Sequence, residues 1–382
     1  MIKKQRRTAM KKIDFDFTRQ SFMSGFDGKT CKVVPSIATD GKTVLIAYEK
    51  LLLTGSDVTV GSHVIKSTDG GKTFSNPIPQ KNLADTYEGD IRRTYSGTVY
   101  YNKKLGKWFS FGYSHIYEHD KHPVIINGCA VVNPLYIDVD AEKGEFVNHR
   151  ILDFPFDYIS AYSMGQIVEC DDGDIIVPFS FFSEKYVKSA VVTVKYTFTE
   201  DGVKVVKAGT PISGERFSRG IGEPSLAKLG DKYYLTLRSD EIGLYAVSDD
   251  GFTFSEPKPY KWDDGSILEN HNTQQHWMIS ENGLFLAYTR KGAHNDHVFR
   301  HRAPIFMARF DEENECLVRD SEVILVPELG ARLGNFCAIA PQENEAWLVT
   351  AEWMQSWNEK LGVCEKYGSN NSFWLAKVYF KN

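Results

Sequence analysis

Residues 67–74 read STDGGKTF, and residues 248–254 read SDDGFTF. Each has a Ser, an Asp two positions on, a glycine turn and then Thr-Phe, and each follows a short apolar run. Ser and Asp side chains can bond the backbone of their own turn, and glycine supplies a positive φ, so both read as tight hairpin turns. A chain that makes one such turn twice, about 180 residues apart, is built from a repeated unit. The segments around them agree. KTVLIAYEK, KWFSFGYS, DIIVPFSFF, SAVVTVKYTF, KYYLTLRS, LFLAYTR, IFMARF, AWLVTAEW and FWLAKVYF are short, rich in β-branched and aromatic residues, and bounded by Gly, Asp, Asn or Lys. No segment sustains an apolar period near 3.6, so little helix is expected. Many short strands allow a sandwich, a barrel or a propeller. Strand–turn–strand passages near residues 40, 172 and 231, with a degenerate FTEDGVKV, favour the propeller.

At 382 residues the chain could hold two or three ordinary domains or one large all-β domain. No Pro/Gly/Ser linker divides it, so a basic tail over 1–12 and a single domain over 13–382 are expected. The net charge of -5 gives no electrostatic case for nucleic acid. No apolar run approaches the ~18 residues of a membrane span. The opening MIKKQRRTAMKKIDFDF is basic without an apolar core, so it is not a secretory signal as it stands, and a cytoplasmic location is expected. Six Cys include no C-x-x-C pair, which favours buried free thiols over a zinc or redox motif. Aromatics at 13% suit β-structure and carbohydrate binding.

The two turns resemble the Asp-box, or bacterial neuraminidase repeat, of the sialidase superfamily. The matching positions are Ser67, Asp69, Gly71, Thr73 and Phe74, then Ser248, Asp250, Gly251, Thr253 and Phe254. These are structural positions. The resemblance extends over most of the chain and implies a six-bladed β-propeller with a site at one end of its axis. In CKVVPSIATDGKTVLIAYE, Pro35 and the following strand fit the start of the first blade, with Lys32 where the family has an Arg that binds the substrate carboxylate. Lys keeps the charge but lacks the bidentate fork. Asp57, ten residues before Ser67, takes the position of the family's acid/base. GEPSLAKLGDKYYLTLRS supplies Glu223 and, 15 residues on, Arg238, the second carboxylate-binding Arg. FRHRAPIFMARF supplies Arg302 as the third, with Arg300 a less well-fitting competitor. Asp90, Arg92 and Arg93 in YEGDIRRTYSG occupy the second-blade position where the family lines its pocket, Gln166 after Gly165 would face the axis, and ARLGN adds Arg332 beside Asn335.

The resemblance breaks at the nucleophile. Sialidases use a Tyr in a G-Y-S-C setting, the recognised Tyr exception among glycosidases. Here GARLGNFCAIAP places Asn335 in that position, and no Tyr lies between Tyr288 and Tyr367. Histidine clusters offer other acid/base groups: SHIYEHDKHP (His115, His119, His122), NHNTQQHW (His271, His276) and AHNDHVFRHR (His294, His297, His301). Their spacings do not specify a metal site, so no metal and no cofactor are expected.

The expected protein is an exo-acting glycoside hydrolase of sialidase type on a carboxylated terminal sugar. Asp57 and Glu223 would be catalytic. Lys32, Arg238, Arg302, Asp90, Arg93, Gln166, His276, His301, Arg332 and Asn335 would bind the substrate. The expected partner is an oligosaccharide or glycan, with neither nucleic acid nor membrane, and the oligomeric state is open. Two alternatives stand beside it. One is a polysaccharide lyase that cleaves uronic-acid glycans by β-elimination, with His or Tyr as base. The other is a glycan-binding propeller without activity.

Overall fold

The computed structural model describes residues 13–53, 57–118, 122–356 and 362–381. Strand accounts for 54% of the structure and helix for 4%. A gradient of side-chain character runs across each sheet. Middle strands such as Val44–Leu52 and Ile175–Phe182 are apolar on both faces and buried nearly throughout. Outer strands such as Glu145–Ile151 and Gly202–Ala208 expose many of their side chains. Two-sided burial means that each sheet is covered by a neighbour on either face.

The sheets are antiparallel meanders, strung in chain order. The first holds Thr30–Thr39, Val44–Leu52, Thr59–Ser67 and Ile78–Pro79. Ile91–Asn102, Lys107–Glu118, Val132–Asp140 and Glu145–Ile151 follow. Next come Ile175–Phe182, Ala190–Thr199 and Gly202–Ala208. The short strand Ser160–Tyr162 pairs with both of these groups and fuses them into an eleven-stranded sheet. Gly222–Leu229, Lys232–Arg238, Gly243–Ser248 and Lys258–Pro259 form another sheet. His276–Ser280, Gly283–Tyr288 and Ile305–Asp311 lead the one after it. The last holds Cys337–Gln342, Glu345–Ala351 and Phe373–Phe380, and its outer edge is completed by Phe15–Phe22 from the start of the chain.

First strands of successive sheets adjoin. Thr30–Thr39 packs against Ile91–Asn102, Ile175–Phe182 against Gly222–Leu229, Gly222–Leu229 against His276–Ser280, and His276–Ser280 against Cys337–Gln342. Cys337–Gln342 in turn meets Thr30–Thr39, so the last sheet abuts the first. The core is accordingly divided among the interfaces between sheets. Ile37, Val44 and Ile46 pack with Trp347, Val349 and Leu375, while Met278, Phe285 and Met307 pack with Leu348 and Ala376.

The two repeated turns share one hydrogen-bond scheme. The Ser67 hydroxyl donates to Asp69 Oδ1 (2.7 Å) and accepts from the Gly71 N–H (2.9 Å). Asp69 accepts from the N–H groups of Lys72 and Thr73, both at 3.0 Å. Ser248 and Asp250 repeat this with Gly251 (2.9 Å), Phe252 (2.7 Å) and Thr253 (2.7 Å). Each turn also docks on the preceding sheet. The Gly70 carbonyl accepts from Lys377 Nζ (2.7 Å), and the Gly251 carbonyl from the Thr193 hydroxyl (2.7 Å). Gly71 sits at a φ of 78°, which a residue with a Cβ adopts only under strain.

In such a meander the start of the first strand, the end of the second and the start of the third lie at one end of the sheet. That rule gathers the starts of Gly222–Leu229 and Cys337–Gln342, the end of Lys232–Arg238 and the loops around Asp57 and Arg302 at a common end.

Candidate active site

Glu223 and Arg238 face each other across one hairpin. The Arg238 Nη1 donates to Glu223 Oε1, and its Nη2 donates to Asn272 Oδ1 at 2.6 Å. Burial opposes the charge of Arg238, but Glu223 outweighs it and holds the guanidinium above its usual range. The second carboxylate oxygen of Glu223 is buried with no hydrogen-bond partner among the described residues. Glu223 sits at φ 45°, its N–H donating to the Ser180 hydroxyl at 2.7 Å. That left-handed backbone is unfavourable for a residue with a Cβ and aims the carboxylate off the run of the strand.

Asn272 is the hub of the arginines. Besides receiving Arg238, it accepts the Arg302 Nε on its carbonyl at 2.9 Å, with Arg302 Nη2 on the same oxygen. Arg302 is 3% exposed. Burial, then the charges of Arg238 and Arg332, push its pKa well down. Arg332 stacks 3.3 Å above the Trp353 ring and donates to Gln355 Oε1 at 2.5 Å. Burial brings its pKa down to about 9, against the opposing pull of Asp57. Arg300, half-buried at φ 55°, makes no hydrogen bond to any described residue. Burial lowers its pKa, then the charges of Arg238 and Arg219, while Asp240 and Asp57 counter them. Arg219 in turn grips Asp240 through two bonds of 2.5 and 2.6 Å. Five arginines thus share this end with Asp57, Glu223 and Asp240 in a chain whose net charge is -5. Guanidinium groups that resist their own charge are groups that an incoming anion stabilises.

Asp57 is an exposed loop residue at φ 60°. Its carbonyl accepts the Tyr117 hydroxyl at 2.6 Å. Asn335 stands at φ 65° between Gly334 and Phe336, and its buried Oδ1 has no partner among the described residues. His301 lies 5.5 Å from His271, ring to ring, and 3.4 Å from Asp296. Burial brings His271 down to about 4.

Three expected pocket residues, Lys32, Gln166 and His276, are taken up by ties within the fold. Lys32 donates to the carbonyls of Met23 (2.8 Å) and Asn371 (2.5 Å), and burial takes its pKa down to about 8. It clamps the first sheet to the last. Gln166 brackets the Trp277 backbone through its amide oxygen (2.6 Å) and nitrogen (2.7 Å), a tie between sheets. His276 is 1% exposed, bonded to the Ser225 hydroxyl (2.7 Å), and burial brings it down to about 3. It is an interior neutral imidazole. Asp90 lies in an exposed turn. Arg93 takes the face of its strand opposite to Arg92, because successive side chains alternate. Arg92 is the inward one: it covers the Tyr117 ring at 4.5 Å and pairs with Asp85 at 2.8 Å. His119 lies outside the described residues.

No protein-family model matches the sequence, and no curated protein matches it. Solved structures do resemble the fold. A protein of unknown function from Dyadobacter fermentans is 16% identical, over 96% of this chain and 99% of that one, with a TM-score of 0.67. The sialidase of Trypanosoma rangeli is 12% identical over 92% of this chain, with a TM-score of 0.56. This chain spans 55% of that sialidase's length. An α-L-arabinofuranosidase variant from Fusarium graminearum, solved with an iminosugar inhibitor, is 13% identical over 94% and 97% of the two chains, with a TM-score of 0.56. The parainfluenza virus 5 hemagglutinin-neuraminidase ectodomain is 9% identical over 95% and 84%, with a TM-score of 0.55. At these identities the likeness is one of fold.

Several residues at this end escape a sequence reading. Tyr162 reaches it on the strand that bridges two sheets, and burial, then Glu223, raise the pKa of its phenol. Asn272 holds Arg238 and Arg302, and Asp240 holds Arg219. Nothing in NHNTQQHW marks Asn272 as their hub, since its role comes from a backbone φ of 49°. Among the described residues, no three His, Cys, Asp or Glu side chains gather as a metal-binding group.

Proposed function

We propose that the chain is a six-bladed β-propeller of the sialidase superfamily and an exo-acting glycoside hydrolase on a carboxylated terminal sugar. The observation that carries this reading is the set of Arg238, Arg300, Arg302 and Arg332 around Asp57 and Glu223, with burial depressing three of the four guanidinium pKa values. A sugar carboxylate supplies the anion. The sheets in sequence, the last abutting the first, supply the blades, and the two Ser-Asp turns supply the Asp-boxes.

In this reading Asp57 protonates the departing oxygen. Glu223, one oxygen held by Arg238 and the other without a partner among the described residues, activates water directly. Direct attack by water would invert the anomeric carbon, because Asn335 cannot form the covalent intermediate of a Tyr. The test is a panel of fluorogenic glycosides that includes a sialoside, a uronide and an α-L-arabinofuranoside, with Arg238→Ala as control. Release from the carboxylated sugars, abolished in the control, is expected. Release only from the uncharged arabinofuranoside would overturn the carboxylate assignment. β-Elimination is the second reading, favoured by Tyr113, His115 and Tyr162 at the same end. It predicts an unsaturated uronate, seen by its ultraviolet absorbance, and no released fluorophore.

A further inference from the structure

The sheet that carries Arg238 repeats a detail of the first sheet. In the first sheet Val33 lies opposite Glu49 and Ser36 opposite Ala47, so that Val34 and Pro35 form a bulge. In the other, Gly222 lies opposite Arg238 and Ser225 opposite Thr236, and Glu223 and Pro224 form the bulge. The offsets, the proline and the serine are the same in both. Val34 stands at φ 49° and Glu223 at φ 45°. Bulges re-aim side chains, and a non-glycine residue held at positive φ marks a place where function tolerates strain. Glu49 therefore holds in the first sheet the place that Arg238 holds in the other.

The two side chains also reach the same way. Arg238 meets Asn272, just ahead of the next sheet's first strand, at 2.6 Å. Glu49 meets the sheet that follows its own. The Tyr113 hydroxyl donates to its Oε1 at 2.5 Å, and the Ser96 hydroxyl donates to the same oxygen at 2.6 Å. The difference lies within the sheet. Glu223 gives Arg238 an opposite charge, whereas Val34 gives Glu49 none.

Glu49 is 3% exposed and makes no ion pair among the described residues. Its Oε2 receives no hydrogen bond from a described residue, while Oε1 receives two. A buried carboxylate without a cation is destabilising unless donors complete it. Held by two hydroxyls on one oxygen, Glu49 is pre-organised to accept a donor on the other. Its anchor also leads to the candidate site. The Tyr113 ring lies 6.2 Å from Tyr162, Tyr162 pairs with Ser180, and the Ser180 hydroxyl accepts the Glu223 N–H at 2.7 Å.

We propose that Glu49 is a specificity-determining residue whose carboxylate accepts a hydroxyl of the bound sugar while the arginines take the sugar's anionic group. This rests on the reading of the site as one for a sugar acid. Two contacts of unlike character, on different sheets, fix the direction of the ring. A sugar acid that lacks the matching hydroxyl leaves Glu49 buried and incomplete, and a site built around such a bond rejects it.

The test is calorimetric titration of the full chain with N-acetylneuraminic acid and glucuronic acid, each also as its monodeoxy forms. In Glu49→Gln the amide oxygen stays with Tyr113 and Ser96, so an amide nitrogen that cannot accept faces the ligand. The acid that binds is expected to weaken about tenfold or more in this variant. One monodeoxy form should bind wild type and variant alike, because it has already lost the hydroxyl that Glu49 reads. Arg300→Ala is the control, and its loss should be shared by every monodeoxy form. Equal losses across the monodeoxy forms in Glu49→Gln, or no loss at all, overturn the proposal. Should Glu49→Gln not fold, Tyr113→Phe loosens the carboxylate without removing it. It is expected to give a smaller loss that one monodeoxy form again escapes, and a loss shared by all overturns the proposal. If neither acid binds the wild type, the sugar-acid reading falls and this inference with it. If binding is lost in Arg300→Ala but intact in Glu49→Gln, that reading stands and this inference alone falls.

Discussion

At the scale of the residue, the site separates arginines that hold the protein together from those that are open to a ligand. Arg238 neutralises Glu223 within a pair whose side chains are 15% and 13% exposed. Arg238→Met therefore strands a mostly buried carboxylate, and we expect a loss of about 3–5 kcal/mol in denaturant unfolding. The double change with Glu223→Gln should recover part of it. Arg300 makes no hydrogen bond to a described residue, so Arg300→Ala should leave stability within about 0.5 kcal/mol. It should still weaken a bound sugar acid tenfold or more, as read by calorimetric titration. His276 gives a pH signature. Its folded pKa of about 3 lies below the ordinary value of 6.5. The unfolded chain binds the proton more readily, so the stability contribution is complete above pH 6.5 and is lost as pH falls toward 3. Acid unfolding curves of His276→Gln should be flatter over that window. Glu223 and Arg238 were legible in the sequence because a strand, a two-residue turn and a strand bring their positions together without further information. The sequence favoured Arg302 over Arg300 but did not show how the two differ. Arg300 lies inside, and Arg302 just after, a short 3₁₀ turn in which Arg300 and His301 both take left-handed φ values, and that backbone decides which guanidinium turns inward. Lys32 was misread because its partners are backbone carbonyls from distant segments, which carry no side-chain signal.

At the scale of the element, turns are written locally and faces are not. Ser67 and Ser248 each satisfy a glycine N–H and orient an aspartate, and both are nearly buried. Ser67→Ala and Ser248→Ala should each cost about 1–2 kcal/mol, measurable as a lowered thermal midpoint. All the atoms of that scheme lie within a few residues, which is why the motif was readable. The strand Ile91–Asn102 was not read from the sequence, and neither was its parity. In register with Lys107–Glu118, Arg92 pairs with Tyr117, Thr94 with His115 and Ser96 with Tyr113. A one-residue slip in that assignment exchanges Arg92 for Arg93 and turns Ser96 away from Glu49, since side chains alternate with a period of two.

At the scale of the whole molecule, Phe15–Phe22 pairs along its full length with Phe373–Phe380. Phe22 stacks on Phe74 of the first sheet at 4.5 Å and on Phe373 at 5.5 Å, so this strand joins the last sheet to the first. Deleting Phe15–Phe22 would bare the edge of Phe373–Phe380, and we expect self-association by light scattering and a broadened unfolding transition. The all-β architecture was legible in the spacing of strands and turns. This closure was not, because it joins opposite ends of the sequence. It also has a consequence for how the protein is made. Phe15–Phe22 must wait for Phe373–Phe380 to be translated, roughly 20 to 70 s at ordinary rates. During that time the sheet bearing Asp57 has been synthesised, but the sheet that follows Arg332 has no outer strand to complete it. Through that interval the nascent chain carries an unpaired strand with three exposed phenylalanines, and Arg332 joins the other arginines only late in it. A cell producing it therefore has an aggregation-exposed interval set by translation speed, and slowing elongation should lower the yield of folded protein more than lowering the message level does.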